Sequence, residues 1–273
     1  AASYLNIPVV HMQGGEITGS IDEKVRHAVT KLADVHLVST KLAHERVIKM
    51  GEHPHSVHLT GCPSLDIAKQ VQATPHIDFN PFIKYGGVGT HFDISEPYLI
   101  VMQHPITTEH YDSNTQTLAT LKAVTQLNLP AFWFWPNPDA GSGGISKELR
   151  IFREHHENNL IHFVRNMSPE DFLKVAINSA CVVGNSSVAI RECSFLGIPS
   201  VNIGTRQTGR ERGMNVLDVN HEPIEITNAI KQQISHGYYQ CDTLYGDGKA
   251  GGKTADILSK CELNIQKQFY DKT

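Results

Sequence analysis

From residue 98 onward the chain repeats one pattern, a short apolar run followed by an amphipathic stretch of helical period. The apolar runs fall at 98–103, 131–135, 160–164, 181–183 and 199–203, with helical stretches at 115–127, 145–156, 169–178 and 187–196. A run such as Cys181-Val182-Val183 is apolar on both faces and must be covered from both sides. That demand leads to a parallel sheet between two helix layers, and five such strands suffice for a doubly wound α/β lobe.

The preceding residues carry a shorter version of the pattern. Strands are expected at 7–11, 35–39 and 56–60, and helices at 22–33 and 41–50. Between 73 and 97 the periodicity stops; three prolines and a Gly-Gly pair mark a loop or linker. Two more helices, at 222–235 and 253–269, close the chain. The expected organisation is a first lobe over 1–75, a linker over 76–97 and a second lobe over 98–252. The final segment, 253–273, would then pack back on the first lobe. Three parallel strands would leave an edge and a face uncovered, and Ala1-Ala2-Ser3-Tyr4-Leu5 reads like the last turns of a helix. The first lobe is therefore expected to lack its beginning, a small complete lobe being the alternative.

A net charge of −4 over 273 residues argues against a general nucleic-acid binder or membrane-surface protein. No apolar run approaches the roughly 20 residues that span a bilayer. The five cysteines are scattered and never form a C-x-x-C pair, which reads as reduced thiols in a cytoplasmic protein. Sixteen histidines raise the question of a metal, but H-E-x-x-H is absent and His155-His156 point to different sides of a helix. No metal site is expected.

Ligands of open α/β sheets sit beyond the carboxyl ends of the strands. In the second lobe those ends carry His104-Pro105-Ile106-Thr107, then Pro136-Asn137-Pro138-Asp139-Ala140-Gly141-Ser142, then Arg165-Asn166. They continue with Gly184-Asn185-Ser186-Ser187 and with Gly204-Thr205-Arg206-Gln207 through Gly209-Arg210-Glu211. A strand turning through Gly and small hydroxyls into a helix leaves unpaired N–H groups and a positive dipole end, which suits phosphate. Glu192, six residues further, lies roughly 9 Å along such a helix and would reach the sugar of a bound nucleotide diphosphate. In the first lobe Gly14-Gly15-Glu16 and Gly19 open a tight turn, and Glu16, Asp22 and Glu23 gather carboxylates near Arg26 and His27. Asp22 and Glu23 also suit the first turn of a helix on dipole grounds alone; Glu16 has no such reason. Carboxylates and a histidine facing a held nucleotide sugar fit proton abstraction beside a carbon bearing an amide. G-x-G-x-x-G, Walker A and G-x-S-x-G are missing from the strand–helix turns, so neither a nicotinamide cofactor nor a P-loop kinase is expected.

These stretches, with Thr60-Gly61-Cys62-Pro63-Ser64 and Tyr245-Gly246-Asp247-Gly248, resemble the hydrolysing UDP-N-acetylglucosamine 2-epimerases of sialic-acid pathways. The resemblance runs nearly end to end and implies a GT-B-like fold of two Rossmann-like lobes, the N-terminal one incomplete. It implies conversion of UDP-N-acetylglucosamine and water to N-acetylmannosamine and UDP. C2 is deprotonated, UDP leaves C1, and the resulting 2-acetamidoglucal is hydrated. On that basis Glu16 and Glu23 are acid/base candidates supported by Asp22, Arg26 and His27, and His104 faces the diphosphate. Ser186 and Ser187 would hold phosphate oxygens, Glu192 the ribose, and Arg206 the developing charge on the leaving group. Gly184, Asn185, Asn137, Asp139 and Ser142 would complete the nucleotide-sugar pocket. No cofactor is implied, and a dimer or tetramer is.

Family members carry roughly a hundred residues ahead of the point matching Ala1, enough for most of a half-domain. The chain alone is accordingly expected to bind UDP weakly and to be inactive or nearly so. A UDP-N,N′-diacetylbacillosamine 2-epimerase would share every motif. The non-hydrolysing branch fits less well at residues 13–16 and 204–207. A GT-B glycosyltransferase fits the phosphate cradle but not the carboxylate-rich loop. A nucleotide-sugar-binding fragment without activity is the last alternative.

Overall fold

The computed structural model describes residues 1–19, 21–155, 160–263 and 266–271. Expectations touching Ser20, His156, Asn264 and Ile265 fall outside the described residues.

The first lobe is a three-stranded parallel sheet in the order β1-β2-β3, formed by β1 (Val10–Met12), β2 (Val35–Val38) and β3 (Val57–Leu59). Helix α1 (Asp22–Leu32) follows β1, α2 (Lys41–Lys49) follows β2, and α3 (Ser64–Ala73) follows β3. Thr40 starts α2 by accepting the Ala43 N–H on its hydroxyl, the usual way to satisfy an orphan donor. Helix α3 leaves this sheet: it packs on the second lobe and buries Leu65, Ala68 and Val71 in that lobe's core.

The stretch expected as plain linker contains structure. A short helix α4 (Pro81–Tyr85) is capped by Asn80, and β4 (Val88–Gly89) pairs antiparallel with the second sheet. Two residues of which one is a glycine carry no periodic signal, and only the neighbouring strand makes them a strand.

The second lobe comprises β5 (Leu99–Met102), α5 (Ser113–Gln126), β6 (Ala131–Phe134), α6 (Ser142–His155), β7 (Ile161–Val164) and α7 (Pro169–Ile177). It continues through β8 (Cys181–Gly184), α8 (Glu192–Leu196), β9 (Ser200–Ile203), β10 (Val216–Val219), α9 (Pro223–His236) and α10 (Ala250–Lys260). The sheet order is β10-β9-β8-β5-β6-β7-β4, seven strands rather than the five read from the apolar runs. Alternate residues of one strand serve opposite cores. Leu99 and Val101 pack with Trp133, Leu149 and Ile230, whereas Ile100 packs with Phe132, Val182 and Ile190.

Helices α5, α6 and α10 start two or three residues earlier than expected, and two helices depart further. The segment 187–196 is not one helix but a 3-10 turn, Ser187–Ala189, followed by the single α-helical turn α8. The Ser186 hydroxyl bonds the Val188 N–H locally, which favours the tighter turn, and Gly197 at φ 71° ends the helix. The last helix stops at Lys260 instead of running to 269. Beyond it the Lys267 ammonium donates to the carbonyls of Lys31 and Ala33 and pairs with Glu52 at 2.6 Å, and Tyr270 N–H bonds Gly51. A helix could not lay these groups along the first lobe.

The strand order reverses at β5, whose neighbours are β6 and β8, so the loops after β5 and β8 part at this point and open a crevice. Gly184 makes the close approach possible: at φ 132°, a Cβ there would lie 2.2 Å from the Met102 carbonyl oxygen. Gly184→Ala should therefore destabilise the protein by about 3 kcal/mol, lowering Tm by roughly 6–12 °C. Gly143→Ala, in α6 with open space around it, should be neutral or slightly stabilising. Thermal melts of the two variants check this, and equal melting points would refute the steric argument.

Candidate active site

The chain leaves β1 through Gln13, at φ 61°, and turns over Gly14-Gly15. Gly15 sits so close to α2 that a Cβ would lie 2.3 Å from the Ala43 carbonyl oxygen. This turn pushes Glu16 inward until it is only 3% exposed. Its Oε2 pairs with Arg210 Nη2 of the second lobe at 3.0 Å, and its Oε1 is buried without a partner.

Glu23 is used differently. It accepts the Thr18 N–H at 2.8 Å, lies 3.3 Å from Arg26 Nη1, and meets His27 Nε2 at 2.8 Å. Arg26 also donates to the Glu16 carbonyl and the Thr18 hydroxyl. Glu23, Arg26 and His27 thus brace the loop that carries Glu16, and Glu23 does not line the cavity beside it.

Across the crevice Asn185, fully buried, staples the two strand ends together. Its Oδ1 accepts the His104 N–H at 2.7 Å and its Nδ2 donates to the His104 carbonyl at 2.8 Å. Its own carbonyl accepts from Arg206 and Gln207. With both side-chain ends engaged, Asn185 positions its neighbours and presents no free carboxamide. The Asn137 N–H donates to His104 Nδ1 at 3.2 Å, which leaves Nε2 to carry the imidazole proton. Burial, with help from the Arg206 charge, pulls the His104 pKa down to about 4, so the ring is neutral at pH 7.

The lobes enclose a polar cavity of about 210 Å3 lined by Glu16, Asp22, Arg26, Ser187, Arg191 and Arg210, with Arg206, Gln13, Thr18 and Gln207. Four guanidiniums face two carboxylates there, leaving excess positive charge for a polyanion. Burial lowers the pKa of Arg206 and Arg210, partly offset by Asp139 and Asp22 near the first and Glu16 near the second. For Arg191 burial is the largest influence, but Glu192, Cys62, Glu16 and Tyr245 together outweigh it and raise its pKa. Because α8 is one turn long, anion attraction here comes from guanidiniums and loop N–H groups rather than from a long helix dipole.

Of the residues expected from sequence, Glu16, Asp22, Arg26, Ser187 and Arg206 line this cavity. His104, Asn137 and Asn185 form the hydrogen-bonded group connected to it through Arg206. Gly184 ends β8, and Ser186 caps the following turn. Glu192 is buried with Oε2 unpartnered, whereas Asp139 and Ser142 stand at the start of α6, Asp139 exposed. Sequence reasoning did not single out Gln13, Thr18, Arg191, Gln207 or Arg210. Arg210 had a signal: a buried Glu16 on one lobe needs a cation from the loop it faces. Among the described residues, no group of three or more His, Cys, Asp or Glu is placed to hold a metal ion, and no helix is long and apolar enough to cross a membrane.

Two α/β lobes meet over a cleft lined by four guanidiniums and two carboxylates, an arrangement that suits a polyanionic ligand. The chain belongs to the UDP-N-acetylglucosamine 2-epimerase family, whose model matches residues 1–259. It is 31% identical to the hydrolysing UDP-N,N′-diacetylbacillosamine 2-epimerase of Legionella pneumophila, over 97% of this chain and 68% of that protein. It is also 31% identical to the UDP-N-acetylglucosamine 2-epimerase of Neisseria meningitidis, over 96% of this chain and 68% of that one. Among solved structures, a Methanocaldococcus jannaschii UDP-GlcNAc 2-epimerase in complex with UDP-GlcNAc and UDP superposes with a TM-score of 0.73 at 14% identity. That match covers 94% of this chain and 70% of the other, a likeness of fold that makes the architecture GT-B-like.

His104 supplies a test of the site's electrostatics. A histidine whose folded pKa lies below its unfolded value of about 6.5 stabilises the fold least in acid, because the unfolded chain binds the proton first. Stability should fall as pH drops from 6.5 towards 4, with a contribution from His104 on the order of 3 kcal/mol. His11, also pulled down to about 4, chiefly by burial, adds to the slope. NMR titration should find the His104 ring near 4 and moving upward when pyrophosphate neutralises Arg206. A ring titrating near 6.5 without ligand would overturn the assignment.

Proposed function

We propose that the protein carries out hydrolysing 2-epimerisation of UDP-N-acetylglucosamine, giving N-acetylmannosamine and UDP. The observation that carries the reading is Glu16, held on one oxygen by Arg210 and unpartnered on the other, inside a cavity with surplus guanidinium charge. In the first step a carboxylate takes the C2 proton, the C2 electron pair forms the C1=C2 bond, and the C1–O bond breaks with its pair leaving on UDP. In the second, water adds its oxygen to C1 while a proton returns to C2 on the opposite face.

Glu16 is the proposed base and Asp22, the second acid lining the cavity, its partner in proton return; Glu23 holds their loop in place. Arg206 and Ser187 receive the diphosphate, with neutral His104 donating a hydrogen bond to it, and Arg206 stabilises the charge that grows as UDP departs. Ser186 and Glu192 serve the phosphate and ribose, and Asn137, Asp139 and Ser142 border the nucleotide sugar. The division of labour follows the lobes, residues 1–75 supplying acid/base groups and 98–252 holding UDP. A second reading, the 2-epimerisation of UDP-N,N′-diacetylbacillosamine, is favoured by the equal 31% identity to the Legionella enzyme. The two substrates differ at C4 and C6 of the sugar, not in the chemistry at C1 and C2.

The full-length protein, incubated with each nucleotide sugar in D2O, should release UDP and a free 2-epimeric sugar carrying deuterium at C2. The ratio of kcat/KM values decides between the substrates. Glu16→Gln should lower kcat by about 10³-fold while UDP affinity stays within about threefold. Transfer of the sugar to an acceptor without exchange at C2 would instead mean a glycosyltransferase.

A further inference from the structure

The contact between Glu16 and Arg210 joins the two lobes, and both residues are buried, at 3% and 8% exposure. Arg210 Nη1 donates to Gln207 Oε1 at 3.0 Å, and Gln207 Nε2 donates to the Asn185 carbonyl at 2.8 Å. Since Asn185 also holds His104 and accepts from Arg206, one hydrogen-bonded chain runs from the first-lobe carboxylate to the anion-binding loops of the second.

The neighbouring residue fastens this loop to the first lobe. Glu211 accepts the Thr40 hydroxyl at 2.5 Å and lies 4.0 Å from Arg46, and its carbonyl accepts the Tyr245 hydroxyl at 2.6 Å. Arg212 closes the loop on itself by donating to the Gln207 carbonyl at 2.7 Å. Arg210 therefore has little freedom. A planar guanidinium fixed at one terminal nitrogen by Gln207 can hold one carboxylate oxygen with the other and thereby set the direction of the free oxygen.

We propose that Arg210 is a positioning residue for Glu16, so that the second lobe aims the carboxylate that the first lobe carries. The inference rests on the proposed reaction. Arg210 is assigned to Glu16 because its two terminal nitrogens bond Gln207 and Glu16, while its unpartnered Nε makes UDP affinity the measurement that separates positioning from phosphate binding. The carboxylate is then aimed only while the lobes are together, and substrate cannot meet an oriented base in an open cleft.

The test measures kcat, KM and UDP dissociation constants in the full-length protein for Arg210→Met, Arg210→Lys, Glu16→Gln and the double variant Glu16→Gln/Arg210→Met. Arg210→Met should lose at least about 100-fold in kcat with KM and UDP affinity within about threefold, and Arg210→Lys should recover at least about tenfold of that loss. The double variant should be no slower than Glu16→Gln alone, followed over hours by NMR, because Arg210 has nothing left to aim. It also removes both buried charges, so it decides the matter if Arg210→Met leaves Glu16 unpaired and fails to fold. Weakened UDP binding with kcat preserved would make Arg210 a phosphate ligand and overturn the proposal. A further drop in the double variant would overturn it as well. Full activity in Glu16→Gln would strike the proposed base, a failure distinct from these.

Discussion

The Asn185 carboxamide, clamped to both backbone groups of His104, is the contact on which the rest of the cleft depends. Parallel strands β5 and β8 lie side by side where the sheet order reverses, and the loops that carry His104 and Ser187 start from that reversal. Sheet hydrogen bonds alone end with the strands. Beyond Met102 and Gly184 the two chains would diverge into water with unpaired groups. Asn185 extends the pairing by one side chain, and its backbone carbonyl then collects Arg206 and Gln207 from the loop after β9. Three strand ends are bound through one fully buried residue.

That arrangement explains how so much charge can be held in a small volume. Buried guanidiniums are costly unless hydrogen-bonded, and here each is anchored by a neutral acceptor or an acid. Arg191 uses Gln13 Oε1 and Ser187 Oγ, Arg206 the Asn185 carbonyl, and Arg210 Gln207 and Glu16. Neutral acceptors satisfy geometry without cancelling charge, so the positive potential remains available to a ligand. The buried atoms still unpaired, Nε of Arg191, Nε of Arg210 and Oε1 of Glu16, mark where this satisfaction is incomplete. Each such orphan in a native protein calls for an explanation, and a polar ligand group would satisfy all three.

How much of this could be read from sequence follows from what kind of signal each feature leaves. The seven-stranded sheet was largely legible because its central strands are apolar on both faces, as Ile100 and Val101 show by entering opposite cores. The edge strands were not. β10 alternates buried and exposed residues around Asp218, and β4 is Val88-Gly89. The broken helix at 187–196 escaped because hydroxyl-to-backbone bonds at Ser186 compete with helical ones over a single turn, too short to disturb an apolar periodicity. In the cleft, residues standing at strand ends were found, and those defined by a partner were missed. Arg191 meets Gln13 across 178 residues of chain, and no local pattern encodes that meeting.

The same distinction governs what closes the cleft. Gly19 donates its N–H to the Arg206 carbonyl, and Gly61 faces Gly246 so closely that an added Cβ on Gly61 would lie 3.1 Å from the Gly246 Cα. Glycine stands on one or both sides of each crossing, so the lobes approach backbone to backbone there. Long polar side chains add to these crossings: Arg210 reaches Glu16 and Glu211 reaches Thr40 of the first lobe. Parting the lobes would strip Glu16 of its cation and Arg210 of its acid, and both would have to be solvated anew. The contact between the lobes is thus electrostatic as much as steric.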